Sequence, residues 1–359
     1  MKQRDLNPTS PVRPGEQIDH LRLEQYLREA LPELAGPVEI EQFPSGHSNL
    51  TYLLKVRGRE VVLRRPPFGS QVKSAHDMSR EFRVLSRLHP SYTPAPRPIH
   101  YCEDPEVLGA PFYLMERLRG LVIRKDLPPA LRSDPTLPGR LSRALIDNLV
   151  ALHALDWRGI GLGDFGRPEG YARRQIDGWT RRWQAARTRD LSDMEQAALW
   201  LAANIPAESQ TALIHNDYKL DNLLLDPDDL TVIRGVLDWE MATVGEPLMD
   251  LGTTLCYWME PTDREELLAV RFSPTETAGF WRREQVVEHY AARSGRDVSA
   301  ILFHYVYGLF KLAVIIQQIY FRYAQGHTRD ERFAGFDRLV AALGRQAVAV
   351  LERRRITLG

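Results

Sequence analysis

IHNDYKLDNLLLDPDDLTVIRGVLDWE, residues 214–240, places a carboxylate, Asp217, five positions before an amide, Asn222, and a second carboxylate, Asp238, sixteen positions further on. Between Asn222 and Asp238 lie two short apolar runs, LLLD at 223–226 and VIRGVLD at 232–238, joined by polar turn residues. That pattern predicts a β-hairpin whose far end delivers Asp238. Phosphoryl transfer from a nucleotide needs this inventory. A carboxylate must orient the acceptor hydroxyl or take its proton, and hard oxygen ligands must hold the Mg²⁺ that bridges the phosphates. Asp217 suits the first task; Asn222 and Asp238 suit the second. Lys219 is placed to offset charge on a moving γ-phosphoryl group, with a solvated loop lysine as the lesser reading.

Working toward the N-terminus, Leu50, Tyr52, Leu54 and Val56 alternate with polar neighbours, Arg57-Gly58-Arg59 can turn, and Val61-Val62-Leu63 resumes the apolar run. This is a second hairpin. In SAHDMSREFRVLSRL (74–88), Met78, Phe82, Leu85 and Leu88 recur on one helical face, and Glu81 falls on the same inward stripe. FYLMERL (112–118) reads as a strand, and the chain beyond it is mostly helical. The expectation is an α+β protein of two lobes. Residues 1–17 are a polar, Pro-rich extended arm, 18–118 a small β-rich lobe with one helix, and 119–359 a larger helical lobe.

Composition narrows the partners. Lys+Arg and Asp+Glu both number 47, so no net field draws the chain to nucleic acid or an anionic membrane. Cys102 and Cys256 are the only cysteines and lie outside any metal spacing, which fits a reducing cytoplasm. The start has no apolar leader, and the apolar run near 309–321 is broken by Lys311, Gln317 and Gln318. The expected chain is cytoplasmic, with no membrane and no nucleic-acid partner.

H-x-D-x-x-x-x-N at His215, Asp217 and Asn222, then LDWE at 237–240 and G-x-P-x-x-D-L at 245–251, resembles the aminoglycoside phosphotransferase and choline kinase superfamily. FPSGHSNLTYLL, VLRRPP, LGAPFYLMER and HNDYKLDN further resemble bacterial relatives of the kinase-like domain fused to acyl-CoA dehydrogenases. The resemblance covers most of the chain and implies the bilobal protein-kinase-like fold, with ATP and Mg²⁺ as cofactors. It implies that Asp217 is the catalytic carboxylate and that Asn222 and Asp238 bind magnesium.

It also assigns nucleotide contacts to the small lobe. Arg64 stands where a kinase-like third strand carries its phosphate-binding lysine, with Glu81 as its carboxylate partner. Alternation along the strand leaves Arg65 as the other candidate. The loop with Gly46, Ser48 and Asn49 would cradle phosphates, or be a plain hairpin turn. Met115, Glu116 and Leu118 would border the adenine, or be core and rim. His215 and Asp250 read as supports for the loop, and Glu240 either as a contact near magnesium or as helix-side charge. Asp164-Phe165-Gly166 spells a magnesium motif but precedes the catalytic loop, so Asp164 reads as part of a surface turn. His153 reads as a packed core histidine.

The acceptor is expected to be a small-molecule hydroxyl, because only eleven residues separate Asp238 from Asp250, too few for a long activation loop. Seven arginines at 167–189, with Trp179 and Trp183 interleaved, suit an acidic metabolite such as a hydroxyacyl-CoA better than a polycationic aminoglycoside. A solvated helix face explains the same arginines. A silent kinase-like binding module and an aminoglycoside phosphotransferase are the competing readings.

Overall fold

The computed structural model describes residues 7–44, 49–68, 77–127, 134–207, 210–328 and 330–358. The chain divides into two compact units, one of residues 1–122, 160–162 and 222–242, the other of 123–159, 163–221 and 243–359. The strands in chain order are β1 (Glu39–Gln42), β2 (Leu50–Val56), β3 (Arg59–Arg65), β4 (Pro98–Cys102), β5 (Phe112–Glu116), β6 (Ala212–Ile214), β7 (Leu223–Leu225), β8 (Ile233–Val236) and β9 (Thr243–Gly245). The α-helices are α1 (His20–Ala30), α2 (Met78–Leu88), α3 (Pro105–Leu108), α4 (Leu137–His153), α5 (Tyr171–Ala186), α6 (Ser192–Ala203), α7 (Pro247–Tyr257), α8 (Glu265–Val270), α9 (Arg283–Ser294), α10 (Ile301–Ala324) and α11 (Phe336–Arg353).

In the first unit, β1–β5 form an antiparallel sheet in the order β1-β2-β3-β5-β4. The β2–β3 hairpin turns on Arg57 and Gly58, both with positive φ (50° and 75°). A two-residue turn of this hand matches strand twist. Tyr52, Leu54, Val61, Leu63, Phe112 and Leu114 pack with Leu23 and Leu27 of α1 on one face. Successive side chains alternate across a strand, so Arg64 leaves on the opposite face, where α2 packs. Asp77 caps α2 by accepting from the Arg80 amide at 3.1 Å. Met78, Glu81, Val84, Leu85 and Leu88 form its buried stripe. The predicted 223–238 hairpin is present as β7 and β8.

Among its described residues the second unit is helical apart from the β6–β9 pair. Its centre is α10, packed against α5, α6, α7 and α11. By length and composition α10 is apolar enough to cross a membrane, yet 78% of its apolar window is buried inside the protein. Gly252 of α7 and Gly308 of α10 face each other's backbone: a Cβ at 252 would lie 2.1 Å from the His304 carbonyl oxygen, and one at 308 would lie 2.4 Å from the Gly252 oxygen. Only glycine permits so close a crossing.

Candidate active site

The residues singled out from the sequence fall into two groups, one in each unit. In the first unit, Arg64 gathers three acids. Its Nε lies 3.0 Å from Glu81 Oε2, and its Nη2 contacts Asp238 Oδ1 and lies 3.2 Å from Glu240 Oε2. Glu240 also accepts from Asn49 Nδ2 at 2.7 Å. Burial opposes the Arg64 charge, and Glu81, Asp238, Tyr113 and Glu240 outweigh it, so its pKa stands well above the ordinary value. Glu81 is 2% exposed. Burial pushes its pKa up, with the Arg64 guanidinium working the other way. Its Oε1 accepts the Trp239 amide at 3.2 Å, tying α2 to the segment after β8. Arg65, on the other face, donates to its neighbour's carbonyl (Pro66, 3.1 Å) and stacks 3.7 Å over Phe68.

Asp238 has left-handed backbone (φ 68°), rare outside glycine and typical of Asn and Asp at functional turns. Asn222 begins the hairpin, and its carbonyl accepts the Leu237 amide at 2.8 Å, so the chain at Asn222 lies beside the residue preceding Asp238. Met115 is buried in β5. Glu116 binds the Arg97 amide through its side chain (2.7 Å). Leu118 packs on Gly235 of β8, where a Cβ would come within 2.8 Å of it. Gly46 and Ser48 lie outside the described residues.

In the second unit the 215–219 loop is held from several elements. Both Asp250 oxygens accept backbone amides, from His215 at 2.6 Å and Asn216 at 2.7 Å. Asp250 Oδ2 is also 3.1 Å from His153 Nε2, and His153 Nδ1 is 2.8 Å from the Tyr290 hydroxyl. Burial pulls the His153 pKa down against Asp250, which keeps the ring neutral, donating to Asp250 and accepting from Tyr290. Burial works against the Asp250 charge, but His153 and the loop amides hold its pKa below the ordinary range. Asn216 is left-handed (φ 66°). Its carbonyl accepts from Lys311 Nζ at 2.7 Å, and the Asp217 amide donates to His215 Nδ1 at 3.3 Å.

Asp217 Oδ2 pairs with Lys219 Nζ at 3.0 Å, and that ammonium sits 4.6 Å over the Tyr257 ring. Burial opposes the Lys219 charge, while Tyr257, Asp217 and Asp221 outweigh it and raise its pKa well above normal. Lys311 and Tyr257 were not identified from sequence as parts of this site. The available signal for Lys311 was a single cation inside the apolar stretch of α10.

Several of the 167–189 arginines are engaged within their own unit. Arg174 donates to the Glu169 and Arg167 carbonyls, Arg182 stacks 4.6 Å over Trp179, Arg187 pairs with Glu195 at 3.3 Å, and Arg189 with Asp337 at 3.5 Å. Asp164 is exposed in a turn, but Phe165 is 1% exposed, and Gly166 abuts β9, where a Cβ would meet Val244 at 2.8 Å. Asp164 thus lies in a surface turn, as read from the sequence, while Phe165 and Gly166 pack inward.

Residues 39–286 match the profile of the phosphotransferase enzyme family. Acyl-CoA dehydrogenase family member 11 of Gallus gallus is 34% identical over 360 residues, covering 96% of this chain and 45% of that protein. Family member 10 of Mus musculus is 32% identical over 320 residues, covering 89% and 30%. The chain thus spans less than half the length of these relatives. Among solved structures, a putative aminoglycoside phosphotransferase from Ralstonia eutropha superposes with TM-score 0.76 at 29% identity, covering 91% of this chain and 97% of that one. Choline kinase from Cryptosporidium parvum gives 0.63 at 12%, covering 95% and 98%, a likeness of fold. The architecture is the protein-kinase-like one.

Proposed function

The chain belongs to the phosphotransferase enzyme family, and on that premise we propose that this small-molecule phosphotransferase moves the γ-phosphate of ATP to a metabolite hydroxyl, with Asp217 orienting the acceptor. The observation that carries the reading is the Asp217 loop. Its two preceding amides are clamped by Asp250, its backbone takes a left-handed step at Asn216, and its carboxylate meets the Lys219 ammonium. Positioning of this kind is most of what a protein contributes to phosphoryl transfer. Lys219 then meets charge that develops on the transferred group.

Asn222 and Asp238 are the proposed magnesium ligands, with Glu240 beside them. The donor chemistry fits: all offer hard oxygens, and Arg64 fixes Asp238 and Glu240 side by side. Among the described residues no three His, Cys, Asp or Glu side chains gather as an all-protein cage. Magnesium does not ask for one, since it takes one or two carboxylates and completes its shell with water and phosphate oxygens. When bound, the cation supplies neutralising charge at the phosphates. Arg64, fixed by Glu81, is proposed to meet the phosphates, Asn49 with Gly46 and Ser48 to line the loop over them, and Met115, Glu116 and Leu118 to border the base.

For the acceptor we propose an acidic hydroxyl compound, a hydroxyacyl-CoA in the first instance. Support comes from similarity to proteins named acyl-CoA dehydrogenase family members. The arginines of 167–189 add less than their number promised, because several are taken up by carbonyls, acids and a ring of their own unit. The test incubates purified chain with Mg²⁺ and ATP against hydroxyacyl-CoAs and aminoglycosides, with mass detection of phosphorylated product. Asp217→Asn is the blank and should lose about 100-fold or more in turnover while still binding nucleotide by calorimetry. Turnover of aminoglycosides alone overturns the acceptor proposal; nucleotide binding without any product across the panel favours a silent module.

A further inference from the structure

Lys311 is 3% exposed, in the middle of α10, among Leu309, Phe310, Leu312, Ala313 and Val314, all buried. Burying an ammonium costs several kcal/mol unless its hydrogen bonds and charge are answered. Its proton affinity is accordingly pulled down by burial, against Asp217 and Asp250. A neutral Ser, Thr or Asn would satisfy one carbonyl at less cost, so the cation calls for a reason beyond packing.

The reason lies in what the carbonyl belongs to. Asn216 O is one end of the peptide that leads into Asp217, and the other end, the Asp217 amide, is held by His215 Nδ1. Asn216 itself has left-handed backbone, which Asn tolerates better than other non-glycine residues but which fixes the direction of the peptide that follows. Were the Lys311 bond removed, the 216–217 peptide would lose its carbonyl anchor, and the aim of Asp217 would loosen with it. Asp250 holds only the two amides before this peptide. The Lys311 ammonium instead holds the carbonyl of the peptide that leads into Asp217.

We propose that Lys311 is a positioning residue: from inside α10 it fixes the Asn216 carbonyl and, through the 216–217 peptide, aims the Asp217 carboxylate at the acceptor hydroxyl. This rests on the phosphotransferase reading of Asp217.

The test is a double-mutant cycle of Lys311→Met with Asp217→Asn, using release of γ-phosphate from Mg²⁺-ATP with water as the probe acceptor. Lys311→Met should lower kcat about 10- to 100-fold, the scale of a misplacement of about 1 Å. KM for ATP should stay within about twofold, since ground-state nucleotide binding is untouched. In the Asp217→Asn background the same change should cost almost nothing further, and Lys311→Arg, which keeps a cationic donor, should recover part of the loss. Independently of turnover, amide hydrogen exchange at 215–219 should quicken in Lys311→Met while α10 stays protected.

An unchanged kcat, or a loss that repeats in full in the Asp217→Asn background, overturns the proposal. If Lys311→Met does not fold, Lys311→Gln, which is neutral and one atom shorter, carries the same cycle. If Asp217→Asn turns over normally, the phosphotransferase assignment of Asp217 fails whatever Lys311 does.

Discussion

Gly252→Ala is the sharpest test of how the loop is held. The added Cβ would sit 2.1 Å from the His304 carbonyl oxygen and 2.4 Å from its carbon, both backbone atoms of α10. An ordinary contact between carbon and carbonyl oxygen is about 3.3 Å or longer, so α7 and α10 would have to part by roughly 1 Å. Cores packed at crystal density resist such a shift. Overpacking costs about 1–3 kcal/mol and sometimes more, and a helix–helix backbone clash belongs at or above the top of that range.

For a chain of 359 residues unfolding as one unit, the thermal midpoint should therefore fall by roughly 4 °C or more. Asp250, which clamps the His215 and Asn216 amides, lies two residues from Gly252 on α7, so turnover should fall as well. Calorimetry of Gly252→Ala, with Gly335→Ala as control, checks this, since a Cβ at 335 meets nothing within 4 Å. A Gly252→Ala protein as stable as the control would refute the crossing geometry.

Arg64→Met leaves Glu81 buried opposite no cation, and breaking a buried pair from one side costs about 3–5 kcal/mol; urea unfolding should show that loss, with the Arg64→Met/Glu81→Gln double variant recovering part of it. For His153, burial sets the folded pKa below the ordinary 6.5, so below that pH the unfolded chain binds more protons than the folded one. Its stabilising contribution is complete above pH 6.5 and is lost as pH falls toward the folded value. Urea midpoints measured from pH 7.5 to 5.5 should decline, and less steeply in His153→Gln; identical slopes would sink the neutral-ring assignment.

The elements legible in the sequence were those with one dominant period. The alternation from Leu50 to Val56 and the Arg57-Gly58 turn gave the hairpin, and the stripe from Met78 to Leu88 gave α2 with Glu81 facing inward. Alternation failed to separate Arg64 from Arg65 because β3 is covered on both faces, which leaves both arginines buried and the pattern without a polar side. β6 and β9 are three residues each, too short to show any period. The α7–α10 crossing depends on two helical glycines 56 positions apart, and neither announces the other. Lys311 was visible only as an interruption of an apolar run; its partner, a backbone carbonyl 95 residues away, has no signature in the side-chain sequence.

The β-rich unit is not contiguous in the chain: its core segment ends at residue 122, while Asp238 and Glu240 arrive with residues 222–242. During synthesis, which proceeds from the N-terminus, a ribosome that has made the whole sheet still has about 120 residues to translate before Arg64 can meet those two acids. Until then Glu81 is its sole long-term companion among the three. The sheet can therefore exist as a nascent body well before it has acquired its acidic edge, and a product truncated ahead of residue 222 would carry the guanidinium but not the full set of acids it was built to hold.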